Sequence, residues 1–328
     1  MQLTRSRPLR VGTRGSALAL WQTERVREAL AAWGLESERI EIRTTGDVVT
    51  HLPLSRIGSR ALFTRQLDDA LLEGRIDLAV HSLKDLPTRL PEGIAIGAVG
   101  LREDPRDALV ARPGLAWASL PRGATVATSS LRRRAQLLRA RPDLSIADIR
   151  GNVDTRLSKL DRDPEWSAIV LAAAGLIRLG LDARITERLP FDVMLPAPGQ
   201  GALAATARTG DDRALAAVRA ALHDDRTALA VAAERAFLRR LEGGCQVPVA
   251  AHATVGNAGG RPEVRLVGRV TSLGGDAVAE GEQAGAVPSV EAADELGVAL
   301  AERLLGEGAG AILDGVRATA LPQPIPEP

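Results

Sequence analysis

The feature that most limits the fold of this chain is a strand–helix pattern that repeats three times between residues 125 and 180. TVATS precedes SLRRRAQLLRA, SIADIR precedes GNVDTRLSKLD, and AIVLA precedes AAGLIRLG. The same order occurs earlier, where LRVGT at 9–13 leads into an amphipathic helix over 16–33, with Ser16 as its N-cap and Gly34 as its stop. Short apolar strands that alternate with helices are typical of parallel, doubly wound sheets. We therefore predict two α/β lobes.

The remaining segments complete the first lobe and add a smaller unit. ERIEIRTT at 38–45, IDLAVHS at 76–82 and IAIGAVG at 94–100 are predicted strands, and 63–73 is a predicted helix. A helical stretch at 211–241 leads into LEGGCQ, after which VPVAAHATV, EVRLVGRVTS and DAVAEGEQA are separated by Gly-rich turns. This pattern predicts a three-stranded antiparallel sheet covered by a helix near 290–305, and hence a small α+β C-terminal domain.

Composition argues against several classes of protein. The chain has 42 Lys and Arg against 41 Asp and Glu, a net charge of +1, so nothing draws the whole molecule to nucleic acid. Its longest apolar run, at 168–177, is shorter than the roughly 20 residues of a membrane helix. The first residues are basic without the apolar segment of a signal peptide, and the single cysteine cannot form an internal disulfide. We expect a cytoplasmic protein with no nucleic-acid or membrane partner.

Polar and cationic residues directly follow five of the predicted strands. In doubly wound sheets, ligands bind beyond the carboxyl ends of the strands, near helix N-termini. Arginines, hydroxyls and backbone N–H groups there would bind several carboxylates or phosphates. Any single arginine could instead belong to a solvated charged surface. Five such strand ends in succession make that alternative much weaker for the arginines taken together. The candidates are Arg14, Ser16, Ser82, Lys84, Thr128, Ser130, Arg132, Arg133, Arg150, Arg156 and Arg178.

Two further residues are candidates for chemistry. Asp85 is a lone carboxylate beside Lys84, and it is either a structural ion pair or cap, or a group that stabilises a developing cation or moves a proton. Cys245 follows two glycines that would expose its thiol, although a lone cysteine is often an inert small hydrophobic residue. The four histidines are isolated and no phosphate-loop or dinucleotide motif occurs, so we expect no metal and no nucleotide.

Several long stretches resemble one known family, the porphobilinogen deaminases. They occur in the family's order from about residue 9 to about residue 315, and include VGTRGSALALWQ, FTRQLDDALLEGRIDLAVHSLKDLP, TSSLRRRAQL, IRGNVDTRLSKLD, LPAPGQGA and AERAFLRRLEGGCQVP. The resemblance implies two lobes similar to periplasmic binding proteins and a third domain that carries a dipyrromethane cofactor, bound by a thioether to Cys245. It implies that four porphobilinogens are added with loss of ammonia, that Asp85 is the catalytic carboxylate, and that hydroxymethylbilane is released.

The resemblance also implies domain boundaries and a loop. Domain 1 would comprise 1–101 plus 202–219, domain 2 would comprise 102–201 and domain 3 would comprise 220–317, with a disordered tail over 318–328. A mobile loop over 46–62 would carry Arg56 and Arg60, where family members often have lysines, and would lead into Phe63. Ile177 likewise stands where a lysine is common, so only Arg178 is carried over there. A monomer is expected.

Two alternatives belong to other classes. An anion-binding solute-binding or sensor protein on the same two lobes would explain the arginines, but neither the third domain nor Cys245. An RNA-binding protein could use the arginine clusters, yet the chain is almost neutral and only 2% aromatic, which leaves little for base stacking. The intact mass separates all three, because only the deaminase would carry two covalent pyrrole units.

Overall fold

The computed structural model describes residues 7–44, 64–241 and 247–320, which form two five-stranded sheets and one three-stranded sheet. The helices are α1 (Ala17–Ala32), α2 (Arg65–Leu72), α3 (Leu131–Ala140), α4 (Val153–Arg162), α5 (Ala173–Arg178), α6 (Asp212–Leu222), α7 (Asp225–Arg240), α8 (Val290–Leu304) and α9 (Gly310–Ala320). The strands are β1 (Leu9–Thr13), β2 (Ser37–Glu41), β3 (Leu78–Ser82), β4 (Ile94–Val99), β5 (Asp107–Ala111), β6 (Thr125–Ala127), β7 (Ser145–Ala147), β8 (Trp166–Ala172), β9 (Glu187–Arg188), β10 (Leu203–Arg208), β11 (Val249–Ala258), β12 (Arg261–Thr271) and β13 (Val278–Ala286).

The first lobe is a sheet in the order β2-β1-β3-β10-β4. β1 pairs in parallel with β2 and β3, as the strand–helix order predicts. Its core forms because the buried apolar side chains of β1 and β3 meet one face of α1, where Val26 and Leu30 are fully buried. The carboxyl ends of β1 and β3 therefore lie side by side at one edge of the sheet.

The second lobe repeats this arrangement in the order β7-β6-β8-β5-β9. β6 pairs in parallel with β7 and β8, which brings three predicted strand ends together. Apolar residues of β6, β8 and β5 pack against α3 on one face and against α4 and α5 on the other. The edge that carries the arginine-rich segments is thus shared by three neighbouring strands.

The expectation of purely parallel sheets was wrong for one interior strand in each lobe. β10 runs antiparallel to β3 and β4, and β5 runs antiparallel to β8 and β9. The chain passes between the lobes along 100–106 and returns along 189–202, and neither crossing contains a crossover α-helix. A strand entered without such a crossover is free to pair antiparallel. The sequence patterns did not identify β5 or β10 as strands.

The third domain is the predicted antiparallel meander, β11-β12-β13, packed against α7 and α8. The sheet approaches α7 closely at Gly268, where an added Cβ would lie 2.4 Å from Phe237 Cζ. The two helices also touch at Gly297, where a Cβ would lie 2.2 Å from the Ala233 carbonyl oxygen. Glycine at these two positions therefore allows the domain core to close.

The predicted fold class is confirmed, with two α/β lobes plus a small α+β domain, whereas the predicted domain limits stay predictions. The helical stretch at 211–241 is two helices, because Asp224 caps α7 by accepting a hydrogen bond from the Thr227 N–H at 2.7 Å. The domain boundary at 219 falls inside α6, and α9 continues past the predicted start of the tail at 318. The predicted loop over 46–62 lies outside the described residues, as do 321–328. No helix in the described ranges is long and apolar enough to cross a membrane.

Candidate binding and catalytic cleft

The first lobe contributes hydroxyls and cations from the ends of β1 and β3. Ser16 caps α1 by accepting a hydrogen bond from the Ala19 N–H at 3.4 Å. Ser82, the last residue of β3, accepts a hydrogen bond from Gln22 Nε2 at 2.8 Å. The partly buried Arg14 directly follows β1. Burial, together with the positive charge of Arg14, lowers the pKa of the buried His81 to about 4. His81 is therefore neutral and does not add to the positive charge of this edge.

The second lobe contributes the ends of β6, β7 and β8. Ser130 caps α3 by accepting from the Arg133 N–H at 3.4 Å, and Thr128 accepts from the Ser130 N–H at 3.2 Å. β7 ends at Ala147, earlier than the predicted 150, so Arg150 lies three residues beyond the strand, and Arg156 lies on the first turn of α4. Arg178 is the last residue of α5, the helix that follows β8. The predicted binding residues thus lie at or shortly beyond strand ends of the two lobes, with Arg156 on α4 and Arg178 at the end of α5.

Two of these arginines are already paired with a carboxylate. Asp107 is fully buried, and it accepts from Arg132 Nη1 at 2.7 Å and from Arg133 Nη2 and Nε at 2.7 and 3.0 Å. Arg132 also donates to the Leu195 carbonyl oxygen at 2.7 Å, and Arg133 to that of Val170 at 2.9 Å. Burial opposes ionisation of Asp107, but the two guanidinium charges hold its pKa well below its usual range.

Gln200 connects this buried group to the first lobe. Its Nε2 donates to Asp107 Oδ1 at 3.1 Å and to the Pro105 carbonyl oxygen at 2.8 Å, while its Oε1 accepts from Lys84 Nζ at 3.2 Å. Gln200 lies on the returning connection between the lobes, so one amide links Lys84 of the first lobe to Asp107 of the second. The spacing of the two lobes is therefore fixed by polar contacts at the base of the cleft.

The other cations of the cleft differ from Arg132 and Arg133 in their partners. Within the described ranges, no carboxylate lies within ion-pair distance of Lys84, Arg150, Arg156 or Arg178, and Arg150 Nη1 is buried without a hydrogen-bond partner. Burial lowers the pKa of Arg156 to about 10, with the charges of Arg133 and Arg150 adding to the effect. Burial also lowers the pKa of Lys84 to about 8, although Asp85 opposes this. Cations clustered in this way favour an anionic ligand with several carboxylates.

Asp85 is the exposed carboxylate of this cluster. It ends a 3-10 turn, Leu83–Asp85, that follows β3 directly. In the part of the chain that the structure describes, it accepts no hydrogen bond and forms no ion pair, yet its charge acts on Lys84 of its own lobe and on Arg156 of the other. An unpaired carboxylate near cations of both lobes remains available to a ligand in the cleft.

The third domain is tied to the same region through Glu234. This fully buried carboxylate of α7 accepts from Arg102 Nη1 at 2.6 Å and Nη2 at 3.1 Å, and from the backbone N–H groups of Gly199 and Ala253 at 2.7 Å each. Arg102 and Gly199 lie on the two crossings between the lobes. Cys245 itself lies outside the described residues, but the chain enters that segment from α7, the helix that Glu234 fixes to the cleft.

Sequence reasoning missed four residues of this region: Gln22, Asp107, Gln200 and Glu234. Asp107 could have been found, because it is a charged residue at the start of the apolar segment DALVA and a buried charge requires partners. Gln200 lies in LPAPGQGA and Glu234 in AERAFLRRLEGGCQVP, but the sequence suggested no role for either. The predicted loop residues Arg56, Arg60 and Phe63 lie outside the described residues. In the described ranges, no cluster of three or more His, Cys, Asp or Glu side chains is placed to hold a metal.

These features define a class of protein: a two-lobed α/β protein with a cation-rich cleft and an appended α+β domain. The family model described as "Porphobilinogen deaminase, dipyromethane cofactor binding domain" matches residues 9–216, and "Porphobilinogen deaminase, C-terminal domain" matches 228–306. The chain therefore belongs to the porphobilinogen deaminase family, which confirms the resemblance.

Individual relatives agree over nearly the whole chain. A protein from Syntrophotalea carbinolica named porphobilinogen deaminase is 50% identical over 97% of this chain and 98% of its own. One of the same name from Rubrobacter xylanophilus is 54% identical over 94% and 97%. Among solved structures, a periplasmic substrate-binding protein of an ABC transporter from Coxiella burnetii is similar at 17% identity, with 66% of this chain and 92% of that chain covered and a TM-score of 0.43.

Proposed function

We propose that the chain joins four porphobilinogen molecules head to tail, with loss of ammonia, onto a dipyrromethane cofactor attached to Cys245, and then releases hydroxymethylbilane by hydrolysis. The observation that carries the proposal is a group of cations that have no carboxylate at ion-pair distance in the described ranges. Asp85 acts electrostatically on two of them, Lys84 of its own lobe and Arg156 of the other. Family membership supplies the substrate class. A cytoplasmic location and a monomeric state stay predictions.

The described residues fit the proposed cofactor. A dipyrromethane built from two porphobilinogens carries two acetates and two propionates, and guanidinium groups bind carboxylates well because two N–H groups face two oxygens. Arg150, with a buried Nη1 that lacks a partner, is suited to one of these groups, and Arg156, Arg178 and Lys84 to others. When bound, the cofactor would supply the pyrrole carbon to which the first substrate is joined.

Asp85 would perform the electrostatic part of the reaction. The bond between the aminomethyl carbon and nitrogen of porphobilinogen breaks, ammonia leaves, and positive charge develops on the pyrrole ring. A carboxylate at the ring would stabilise this charge and accept the pyrrole N–H as a hydrogen bond. The bound cofactor would supply the ring carbon that takes the place of the departed ammonia, and that carbon would give up its proton. The surrounding cations would hold the carboxylates of both rings, so that the reacting carbons stay in contact.

The competing function, an anion-binding solute-binding or sensor protein, explains the cations equally well. It gives no role to Asp85, because a carboxylate in such a cleft repels an anionic ligand. It also leaves unexplained why a third domain is joined to the interlobe connections through Glu234. These two observations favour the enzyme.

The experiment is the intact mass of the purified protein and of its Cys245→Ser variant. The wild type should carry the mass of two covalent pyrrole units, and the variant should carry none and release no ammonia from porphobilinogen. Cys245 is the only cysteine, so Ser removes the sole thiol while keeping the size of the side chain. Two pyrrole units on the variant would remove Cys245 as the attachment site, and a wild-type protein of bare polypeptide mass would contradict the cofactor.

A further inference from the structure

Arg178 of the second lobe faces an aromatic ring of the first. Its Cζ lies 5.7 Å from the centroid of Trp21, which belongs to α1. The same helices approach each other at Gly175, where an added Cβ would lie 3.8 Å from Leu18. α1 and α5 therefore meet across the seam between the lobes, and the guanidinium–indole pair lies in that seam.

Arg178 also makes a hydrogen bond to the returning connection between the lobes. Nη2 donates to the Gly201 carbonyl oxygen at 2.6 Å, and this oxygen also accepts from the Glu103 N–H at 3.1 Å. Gly201 has a φ of +88°, and a Cβ there would lie 2.4 Å from the Glu103 carbonyl oxygen, so no side chain fits. Arg178 is thus held between the backbone of the interlobe connection and an indole face.

The indole differs from other partners because it attracts the cation without occupying its hydrogen-bonding sites. A ring face stabilises a guanidinium through the ring quadrupole, whereas a carboxylate would take the N–H groups that a ligand needs. Burial lowers the pKa of Arg178, which shows that the site costs the cation its hydration. Arg25 lies at a similar distance from Trp21, 6.0 Å, but its charge is paired with Glu28 at 2.7 Å.

We propose that Trp21 is a positioning residue that holds Arg178 in place for a substrate carboxylate, while the N–H groups that do not bind Gly201 stay without a partner among the described residues. This rests on the proposed function, in which Arg178 binds a carboxylate of the growing pyrrole chain. Since the contact joins the two lobes, Trp21 also makes the position of Arg178 depend on the spacing of the lobes. Trp21 acts through Arg178 and does not touch the reacting atoms.

The kinetic test compares Trp21→Leu, Trp21→Phe and the control Trp33→Leu, which lies at the exposed end of the same helix. Trp21→Leu should raise KM for porphobilinogen roughly 3- to 30-fold, the range of a cation–π contact, with kcat changed less than about twofold. Trp21→Phe should restore most of the affinity, because a ring face remains. Trp33→Leu should match the wild type.

A double substitution separates positioning from general structure. In an Arg178→Gln background, Trp21→Leu should cause no further rise in KM, because the cation that it holds is gone. An equal rise in both backgrounds would overturn the proposal, as would an unchanged KM in the single variant.

A spectroscopic measurement tests the contact without using activity. In a protein whose Trp33, Trp117 and Trp166 are replaced by Phe, the fluorescence emission of Trp21 should shift when Arg178 becomes Gln, with no substrate present. An unchanged spectrum would overturn the contact even if the enzyme turns over normally. A shifted spectrum, together with a wild-type protein that releases no ammonia from porphobilinogen, would instead count against the proposed function alone.

Discussion

The two aspartates of the cleft are surrounded by arginines in opposite ways. Asp107 is buried and accepts hydrogen bonds from both Arg132 and Arg133. Asp85 is exposed and has no such partner among the described residues, although its charge acts on the nearby Arg156. We call Asp107, Arg132 and Arg133 the closed cluster, because its charges bind one another. We call Asp85 and the cations Lys84, Arg150, Arg156 and Arg178 the open cluster.

The difference separates arginines that already bind a carboxylate of the protein from arginines that have none at ion-pair distance in the described ranges. A buried charge is tolerated when it is paired and hydrogen-bonded, so Arg132 and Arg133 compensate Asp107 and hold α3 against β5. Arg150, Arg156 and Arg178 have no carboxylate at ion-pair distance in the described ranges. Burial lowers the pKa of Arg156 and Arg178, although the charges of Asp85 and Glu103, respectively, oppose this. Cations kept in this costly state indicate that an anion completes the site.

The largest effect should follow from opening the closed cluster. Arg133→Leu leaves Asp107 with one guanidinium, so we expect the free energy of unfolding to fall by about 3–5 kcal/mol, the usual cost of breaking a buried pair. Urea denaturation followed by circular dichroism measures it. Arg156→Leu is the matched control in the open cluster and should leave the stability unchanged or raise it. Equal destabilisation by both variants would erase the distinction between the clusters.

The second effect concerns function in the open cluster. Arg156→Leu should keep the two pyrrole units of the cofactor but lower kcat/KM for porphobilinogen roughly 10- to 100-fold, as expected for a lost hydrogen bond to a charged group. Mass spectrometry after addition of substrate should show enzyme species stalled at intermediate chain lengths. Arg156→Lys keeps the charge and should recover part of the activity. Wild-type turnover of the Leu variant would assign Arg156 to a solvated surface.

The smallest effect is a pH dependence from Lys84. Its pKa in the folded protein is about 8, below its ordinary value of 10.5, so the unfolded chain binds more protons between these values. Stability should therefore gain a positive contribution as pH rises through this window, while KM for porphobilinogen should rise because the ammonium is lost. Lys84→Arg should flatten the KM profile above pH 8. A profile identical in both proteins would show that Lys84 does not titrate there.

Much of this organisation could be predicted from the sequence. Strand–helix alternation located both lobes, and strand ends followed by arginines and hydroxyls located the cleft, because parallel neighbours place their carboxyl ends at one edge. Ser16 and Ser130 were identifiable as residues at helix starts, and both are N-caps. The three-stranded sheet followed from Gly-rich turns between short strands.

The pairing within the cleft could not be predicted in this way. Sequence patterns show that Arg132 and Arg156 are cations near strand ends. They do not show that Asp107 pairs with Arg132 but not with Arg156. That outcome depends on β5 entering its sheet antiparallel, which places Asp107 opposite Ala172 at the end of β8. The interlobe link through Gln200 likewise joins residues 116 positions apart in sequence. Such contacts depend on how the chain crosses between the lobes, and no periodic pattern in the sequence predicts that path.

The central claim is that the open cluster binds substrate while Asp85 performs chemistry. It is tested most directly by single-turnover release of ammonia from Asp85→Asn protein that has been reconstituted with its cofactor. Asn is nearly isosteric but neutral, so we expect normal folding, retained binding of porphobilinogen, and ammonia release slowed by at least ~10²-fold. Asp85→Glu should keep partial activity, because the charge remains. Release at the wild-type rate by Asp85→Asn would contradict the account, since the cleft would then bind and react without its exposed carboxylate.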